Sequence, residues 1–437
     1  MLAVLLASLV TTTLPNGLEV SILPDPSMPL VATQVWYHVG AADEDRGSRG
    51  LAHLFEHLMF GATATYPKGD YSRFVTRAGG EENAFTTADE TVYVSAVPPE
   101  AFAGVIRREG DRMRNLVLDE AELDNEKRIV TEELRLRTEN DPTSRLLVAA
   151  QRALLGGHPY SFDPSGSKED VTRATLASCR AFYDAYYRPN HAHVVIVGPV
   201  EERATLALVE EAFGGIAPDG VDPREIPSLL DWTYPGSLDL KEDIPPVEIA
   251  LMGAPLPPSD APDAPAVEVL REILTGGSLD PFREIVVTRE EDALEAGIEW
   301  IGLKRGGGII FYAASLPYRR RATAFRSIER GIAALDDLSW LTPDALAAAK
   351  RRVALAETTA RYFAERMAER IGTAEWHRGG AEDALAWSAR IESVEREEVA
   401  SAWRRYVRDA GLIRLYVKPE RVPVLIRMFG WLYPLFS

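Results

Sequence analysis

The segment His53-Leu54-Phe55-Glu56-His57 brings two histidines and a glutamate together in a spacing that can do chemistry. Leu51, Leu54, Phe55, Leu58 and Met59 recur at i, i+3, i+4, i+7 and i+8, the pattern of a helix with one buried stripe, and Gly61 stands where such a helix stops. On a second face His53 and His57 lie one turn apart, so two imidazoles can reach one metal ion. Glu56 lies beside them, close enough to act on a water bound to that ion.

Composition narrows the metal chemistry. Cys179 is the only cysteine, which excludes an intrachain disulfide and any Cys-rich zinc site. A zinc site must then be made of His and carboxylate, the ligand mix of catalytic more than structural zinc. With 66 acidic against 48 basic residues, the net charge of −18 argues against nucleic acid or an anionic membrane as partner.

A third ligand has to come from another element. Asp119 followed by Glu122 resembles a capping box, so a helix is expected from there to about residue 138. On it Glu126, Ile129, Val130 and Glu133 share one face. Two carboxylates beside two β-branched apolar residues suit a buried carboxylate ligand with a second carboxylate in support.

The elements that must position these helices follow from pattern. Strands are expected at 17–23, 30–39, 83–86, 91–97 and 191–197, with further helices at 176–187 and 201–213. The Pro- and Gly-rich stretch 218–236 reads as a linker. The second half repeats the order: a strand at 247–254, a helix at 266–275 stopped by Gly276, strands at 294–301 and 308–316, helices between 319 and 399, and a strand at 412–417. Setting Gly276 against Gly61 places Glu268, Arg271 and Glu272 opposite His53, Glu56 and His57, so the copy lacks the metal ligands. The chain of 437 residues thus divides into 1–218, which carries the chemistry, a linker 219–236, and 237–437, which supplies a wall. The apolar run at 1–10 lacks a basic flank and is too short to span a bilayer, leaving open a signal-sequence remnant or a strand extension. The apolar stretch 422–437, broken by Pro423, Arg427, Gly430 and Pro434, reads as a docked tail.

Several motifs carry a family resemblance over almost the whole chain: His53-x-x-Glu56-His57, Phe60-Gly61-Ala62-Thr63, Asn83-Ala84-Phe85-Thr86, Thr91-x-Tyr93, the run EKRIVTEE from Glu126 to Glu133, and Tyr187-Arg188-Pro189-Asn190. The chain resembles the pitrilysin/insulysin family of zinc peptidases, the inverted zincins. Within it the likeness is to the short two-domain type, as in the mitochondrial processing peptidase β subunit and its bacterial relatives. The resemblance implies an α+β fold of two duplicated domains, each a mainly antiparallel sheet covered by helices, enclosing a chamber. It implies a Zn2+ cofactor held by His53, His57 and Glu133, with Glu126 supporting them and Glu56 as general base. It also implies that the edge strand at Asn83, Ala84, Phe85 and Thr86 binds an extended peptide by strand addition.

One family feature is incomplete. A segment like Arg-Glu-x-x-Gly-Leu-x-Tyr supplies an Arg and a Tyr to completed sites; this chain has Arg289 but Ala296 in the place of the Tyr. The resemblance therefore implies the zinc-bearing subunit of a heterodimer whose partner brings the Arg/Tyr pair. The alternative within the same resemblance is a structural or assembly subunit of a larger complex. The bacterial periplasm and the cytoplasm both remain open as compartments.

Overall fold

The structure, a computed structural model, describes residues 8–422 apart from 141, 219–220, 222–223, 243, 245, 278–279, 290–292 and 316–320. Residues 1–7 of the apolar run 1–10, open to a signal remnant or a strand extension, and the tail beyond 422 lie outside the described residues, as do residues 316 and 319, an expected strand end and helix start.

The first sheet contains β1 (Val10–Thr13), β2 (Glu19–Pro24), β3 (Val31–Tyr37), β4 (Glu81–Thr86), β5 (Thr91–Val97) and β6 (Ala192–Gly198), in the order β1-β2-β6-β3-β5-β4. All neighbours are antiparallel except β2 and β6. The helices of the first half are α1 (Leu51–Leu58), α2 (Asp70–Arg77), α3 (Pro99–Asn115), α4 (Glu120–Asn140), α5 (Pro142–Leu154), α6 (Lys168–Arg173), α7 (Leu176–Tyr186) and α8 (Glu202–Phe213) in chain order. The second sheet, β7 (Ser237–Glu242), β8 (Glu248–Leu256), β9 (Glu295–Leu303), β10 (Gly306–Ser315) and β11 (Ile413–Pro419), has the order β7-β11-β8-β10-β9. Again only one pair, β7 and β11, is parallel. With β2 matched to β7 and β6 to β11, the two orders coincide, and β1 is the extra strand. The duplication expected from the sequence is thus present in the strand connections.

The helices of the second half are α9 (Ala264–Thr275), the single turn α10 (Pro281–Arg283), α11 (Arg321–Leu335), α12 (Pro343–Ala360), α13 (Ala364–Arg378), α14 (Asp383–Ser393) and α15 (Arg396–Trp403). Their packing does not follow the linear division at 218 and 236. Among the described residues, one compact unit gathers those within 8–136, 162–226 and 357–385; the other gathers those within 137–161, 227–356 and 386–422. The repeat is carried by the order of strands along the chain, and the packed units exchange a helix across it.

In the first unit, one face of the sheet carries Val35, Tyr37, Tyr93, Val194 and Ile196, which pack with Leu54 and Phe55 of α1 and with Val105 and Ile106 of α3. The other face carries Trp36, Val92, Val195 and Val197, and is covered by Met367, Ala368 and Ile371 of α13. Strand alternation makes such a two-sided sheet read as nearly continuous apolar runs. Gly372 lets α13 approach: a Cβ there would lie 2.1 Å from the Trp36 indole. In the second unit, Met252, Ile298 and Phe311 pack with Leu270 of α9, Ile328 of α11 and Trp403 of α15. Its other face, with Leu251, Leu415 and Val417, is covered by Leu146 and Ala150 of α5. Helices α5 and α13 hold the same place in the two repeats, so the exchange is reciprocal.

Candidate metal centre

Helix α1 is short, and what fixes it lies outside it. Its N-cap, Gly50, has φ of 93°, a left-handed conformation that glycine adopts without strain. With no side chain there to cap the helix, the buried carboxylate of Glu44 does so from the preceding loop. Its Oε2 accepts from Gly50 N at 2.8 Å and its Oε1 from Ala52 N at 2.7 Å. Beneath the helix, the Tyr93 hydroxyl donates to Phe55 O at 2.9 Å. The apolar stripe is buried as expected, and the helix ends at Leu58, three residues before Gly61.

Burial pushes the Glu44 carboxyl up to about 8, against the pull of its two backbone donors, and pushes Asp43 beside it to about 6. A carboxyl whose pKa is raised on folding stabilises the protein fully below its unfolded value and loses that contribution as pH rises through the folded value. Glu44 therefore contributes a fall in stability between about pH 4.5 and 8. In Glu44→Gln the decline of Tm over that window is shallower than in the wild type; equal slopes in thermal melts at stepped pH would refute this assignment.

The first turn of α4 forms as its sequence indicates, with Asp119 Oδ1 accepting from Glu122 N at 2.9 Å. The Glu122 side chain does not close a box. It accepts from Lys68 Nζ at 2.6 Å, and Lys68 also lies 3.8 Å from Glu126. Of the apolar pair on the expected face, Val130 is buried and Ile129 is exposed. At i+4 and i+3 from Glu126 the two diverge around the helix, and only Val130 faces the core.

Helices α1 and α4 bring His53, His57 and Glu133 together. One ligand atom from each lies within 4.8 Å of the others, the only such grouping of three potential metal ligands among the described residues. Glu133 Oε2 is 3.6 Å from His53 Nε2 and 3.6 Å from His57 Nε2, and the two rings stand edge to face. On its other side His57 Nδ1 is 3.5 Å from Glu126 Oε2. Burial opposes protonation of His57, but the Glu126 contact and the charges of Glu56, Glu126 and Glu133 outweigh it and raise the pKa. The same contact with His57 holds the Glu126 carboxyl below the usual range. A field that draws a proton onto an imidazole also favours a cation between the imidazoles. Two ring nitrogens and a carboxylate oxygen are a fitting donor set for Zn2+ with a position left open.

The remaining expected residues divide by strand alternation. On β4, Ala84 packs with the core on the α1 side. Thr86, at the same parity, donates from Oγ1 to Glu56 Oε2 at 2.7 Å. Phe85 packs on the opposite face, with its ring 6.1 Å from that of Trp36, and Asn83 is exposed. Strand β4 is an edge of the sheet, as strand addition requires. Sequence reading did not find the Thr86–Glu56 contact or the Glu44 cap; the alternation on β4 was the available signal for the first, and nothing marked the second.

In the second repeat an ion network stands where the ligands would be. Arg271 donates to Glu268 at 2.6 Å and to Glu272 at 2.9 Å, and Arg352 of α12 lies 3.1 Å from Glu272. Arg289 ends a π-helical stretch, Glu284–Arg289, 3.7 Å from Glu284, while Ala296 is buried in β9. Cys179 is buried, and burial pushes its thiol up to about 11. Among the described residues, no helix is long and apolar enough to cross a membrane.

Comparison with known proteins agrees with this architecture. Residues 20–156 match the family described as Insulinase (Peptidase family M16), and residues 173–317 match Peptidase M16 inactive domain. The chain is 28% identical over 312 residues to the zinc protease PqqE of Helicobacter pylori, covering 70% of each. It is 30% identical over 324 residues to an uncharacterized zinc protease of Mycobacterium leprae, covering 72% of this chain and 70% of that one. The crystal structure of a protease from Helicobacter pylori superposes with a TM-score of 0.82 at 23% identity, over 95% of this chain and 100% of the other, and shows the same fold. The chain belongs to peptidase family M16, the insulinase family.

Proposed function

We propose that this chain is a zinc-dependent endopeptidase that hydrolyses peptides or unfolded segments, with His53, His57 and Glu133 as metal ligands. The observation that carries this reading is the convergence of those three side chains, with Glu56 beside them and Glu126 behind His57.

A bound Zn2+ supplies Lewis acidity, bringing the pKa of a water to about 7 and polarising a carbonyl. The chain's own residues do the rest. Glu56 takes a proton from the attacking water as its oxygen adds to the scissile carbonyl carbon, and gives that proton to the amine nitrogen as the C–N bond breaks. Glu126 fixes the ring of His57 through Nδ1, which leaves Nε2 directed at Glu133. The backbone of β4 at Asn83, Ala84, Phe85 and Thr86 aligns an extended substrate by strand pairing, which tolerates varied side chains.

The same reading makes this chain the zinc-bearing subunit of a heterodimer that encloses its substrate, with the Arg/Tyr pair on the partner. Full activity of the isolated chain as a monomer or homodimer in gel filtration would refute the heterodimer, and cleavage of a stably folded protein would refute the enclosure.

The direct test is metal content by plasma spectrometry together with hydrolysis of a quenched peptide library, before and after chelation. About one zinc per chain is expected, with chelation abolishing hydrolysis and zinc restoring it. A wild-type chain that binds no zinc would favour a structural or assembly subunit.

A further inference from the structure

We propose that Thr86 is a positioning residue for Glu56, holding one carboxylate oxygen by a charge-assisted hydrogen bond so that the other is presented to the substrate side. This rests on the role given to Glu56 above.

The contact is a 2.7 Å donation from Thr86 Oγ1 to Glu56 Oε2, between the last residue of an edge strand and the sixth residue of α1. A hydroxyl donating to a carboxylate makes a short, strong bond of this kind. Its value for catalysis depends on which partner is rigid. Glu56 is half-buried on a short helix and has three rotatable bonds, whereas Thr86 is β-branched, with few χ1 states.

The backbone that carries Thr86 is also over-determined. Thr86 pairs with Thr91 across the hairpin, and Thr87 N donates to Glu90 O at 2.8 Å. Within the turn Thr87 Oγ1 accepts from Asp89 N at 3.0 Å and from Glu90 N at 3.2 Å. From outside, Ala41 N donates to Thr87 O at 3.1 Å and Ala42 N to Ala88 O at 2.9 Å. Thr91 Oγ1 donates to Val39 O at 3.0 Å. Helix α13 adds two more ties: the Trp376 indole donates to Asp89 O at 3.2 Å, and His377 Nε2 lies 2.9 Å from Glu90 Oε2. The hydroxyl is therefore a fixed donor and the carboxylate the group it orders. The Thr86 side chain thus has a role of its own, in addition to the backbone role that Thr86 shares with its neighbours on β4.

Thr86→Val keeps the shape and removes the donor; Thr86→Ser keeps the donor. In the valine variant kcat is expected to fall on the order of tenfold or more, with KM within about twofold and zinc content and Tm unchanged. Thr86→Ser recovers most of that loss. Crystal structures of both variants supply a readout besides turnover: the Glu56 carboxylate is displaced or spread over rotamers in the valine variant and ordered as in the parent in the serine variant.

A valine variant with parental kcat and an unmoved Glu56 would overturn the proposal. So would a loss confined to KM, which would make Thr86 a substrate-binding residue only. If the parent binds no zinc, the functional reading fails; the two crystal structures still decide whether the hydroxyl sets the Glu56 conformation.

Discussion

Glu56→Gln is expected to retain zinc and lose about 1,000-fold or more in peptide turnover. The amide has the size and shape of the carboxylate and keeps an oxygen to accept from Thr86, so neither α1 nor the ligand cluster is disturbed. What it lacks is a basic oxygen. General base catalysis is typically worth about 100- to 10,000-fold, and in the proposed mechanism one group serves both proton transfers. Zinc analysis and quenched-peptide kinetics on the same preparation check this. Turnover within tenfold of the parent, with zinc bound, would remove Glu56 from the mechanism.

The largest expected loss of stability lies beneath the site. Arg112 of α3 donates from Nε and Nη2 to the two oxygens of Glu109, both at 2.7 Å, and the Tyr71 hydroxyl donates to Glu109 at 2.6 Å. The guanidinium carbon lies 4.3 Å from the ring centre of Tyr93 and 4.7 Å from that of Tyr71, and both members of the pair are buried. Burial alone would drive the Glu109 carboxyl up, and Arg112 is the main group opposing it.

Arg112→Met leaves that carboxylate in an apolar pocket without its cation, a change that typically costs about 3–5 kcal/mol. The cost eases in acid: the folded-state pKa of Glu109 rises further without Arg112, so the stability of the variant falls as pH rises above the unfolded carboxylate value of about 4.3. Denaturant titration of Arg112→Met and of Glu109→Leu/Arg112→Met separates the terms. The double variant is expected close to the parent, since replacing both charges avoids an unpaired one. A single variant within about 1 kcal/mol of the parent would show that the buried carboxylate does not depend on Arg112 for its stability.

The local chemistry was readable in the sequence where one element carried it. The apolar stripe of α1, the histidines four apart and the Asp119 cap are consequences of helical periodicity, and the structure has them in place. The duplication was readable because order of elements survives without side-chain identity. Pairings between elements distant in sequence were not. Amphipathic patterns show that α5 and α13 each bury a face, and say nothing about which sheet receives it. The alternation of β4 puts Thr86 on the side of Ala84, but that Glu56 of α1 waits there depends on how the helix crosses the sheet. Glu44 caps α1 from an acidic loop that reads as solvated, because a carboxylate's partner is set by the turn that brings it home.

The exchange of α5 and α13 has a consequence for how the chain comes into being. The face of the first sheet that carries Trp36, Val92, Val195 and Val197 packs, among the described residues, against a helical segment between Ala364 and Ala384. During synthesis all six strands of that sheet are available once β6 has emerged, yet the covering helix arrives about 170 residues later, on the order of ten seconds or more at bacterial or eukaryotic elongation rates. Throughout that interval the first sheet lacks the helix that buries this apolar face, so the first unit can complete its packing only after most of the second repeat has been made.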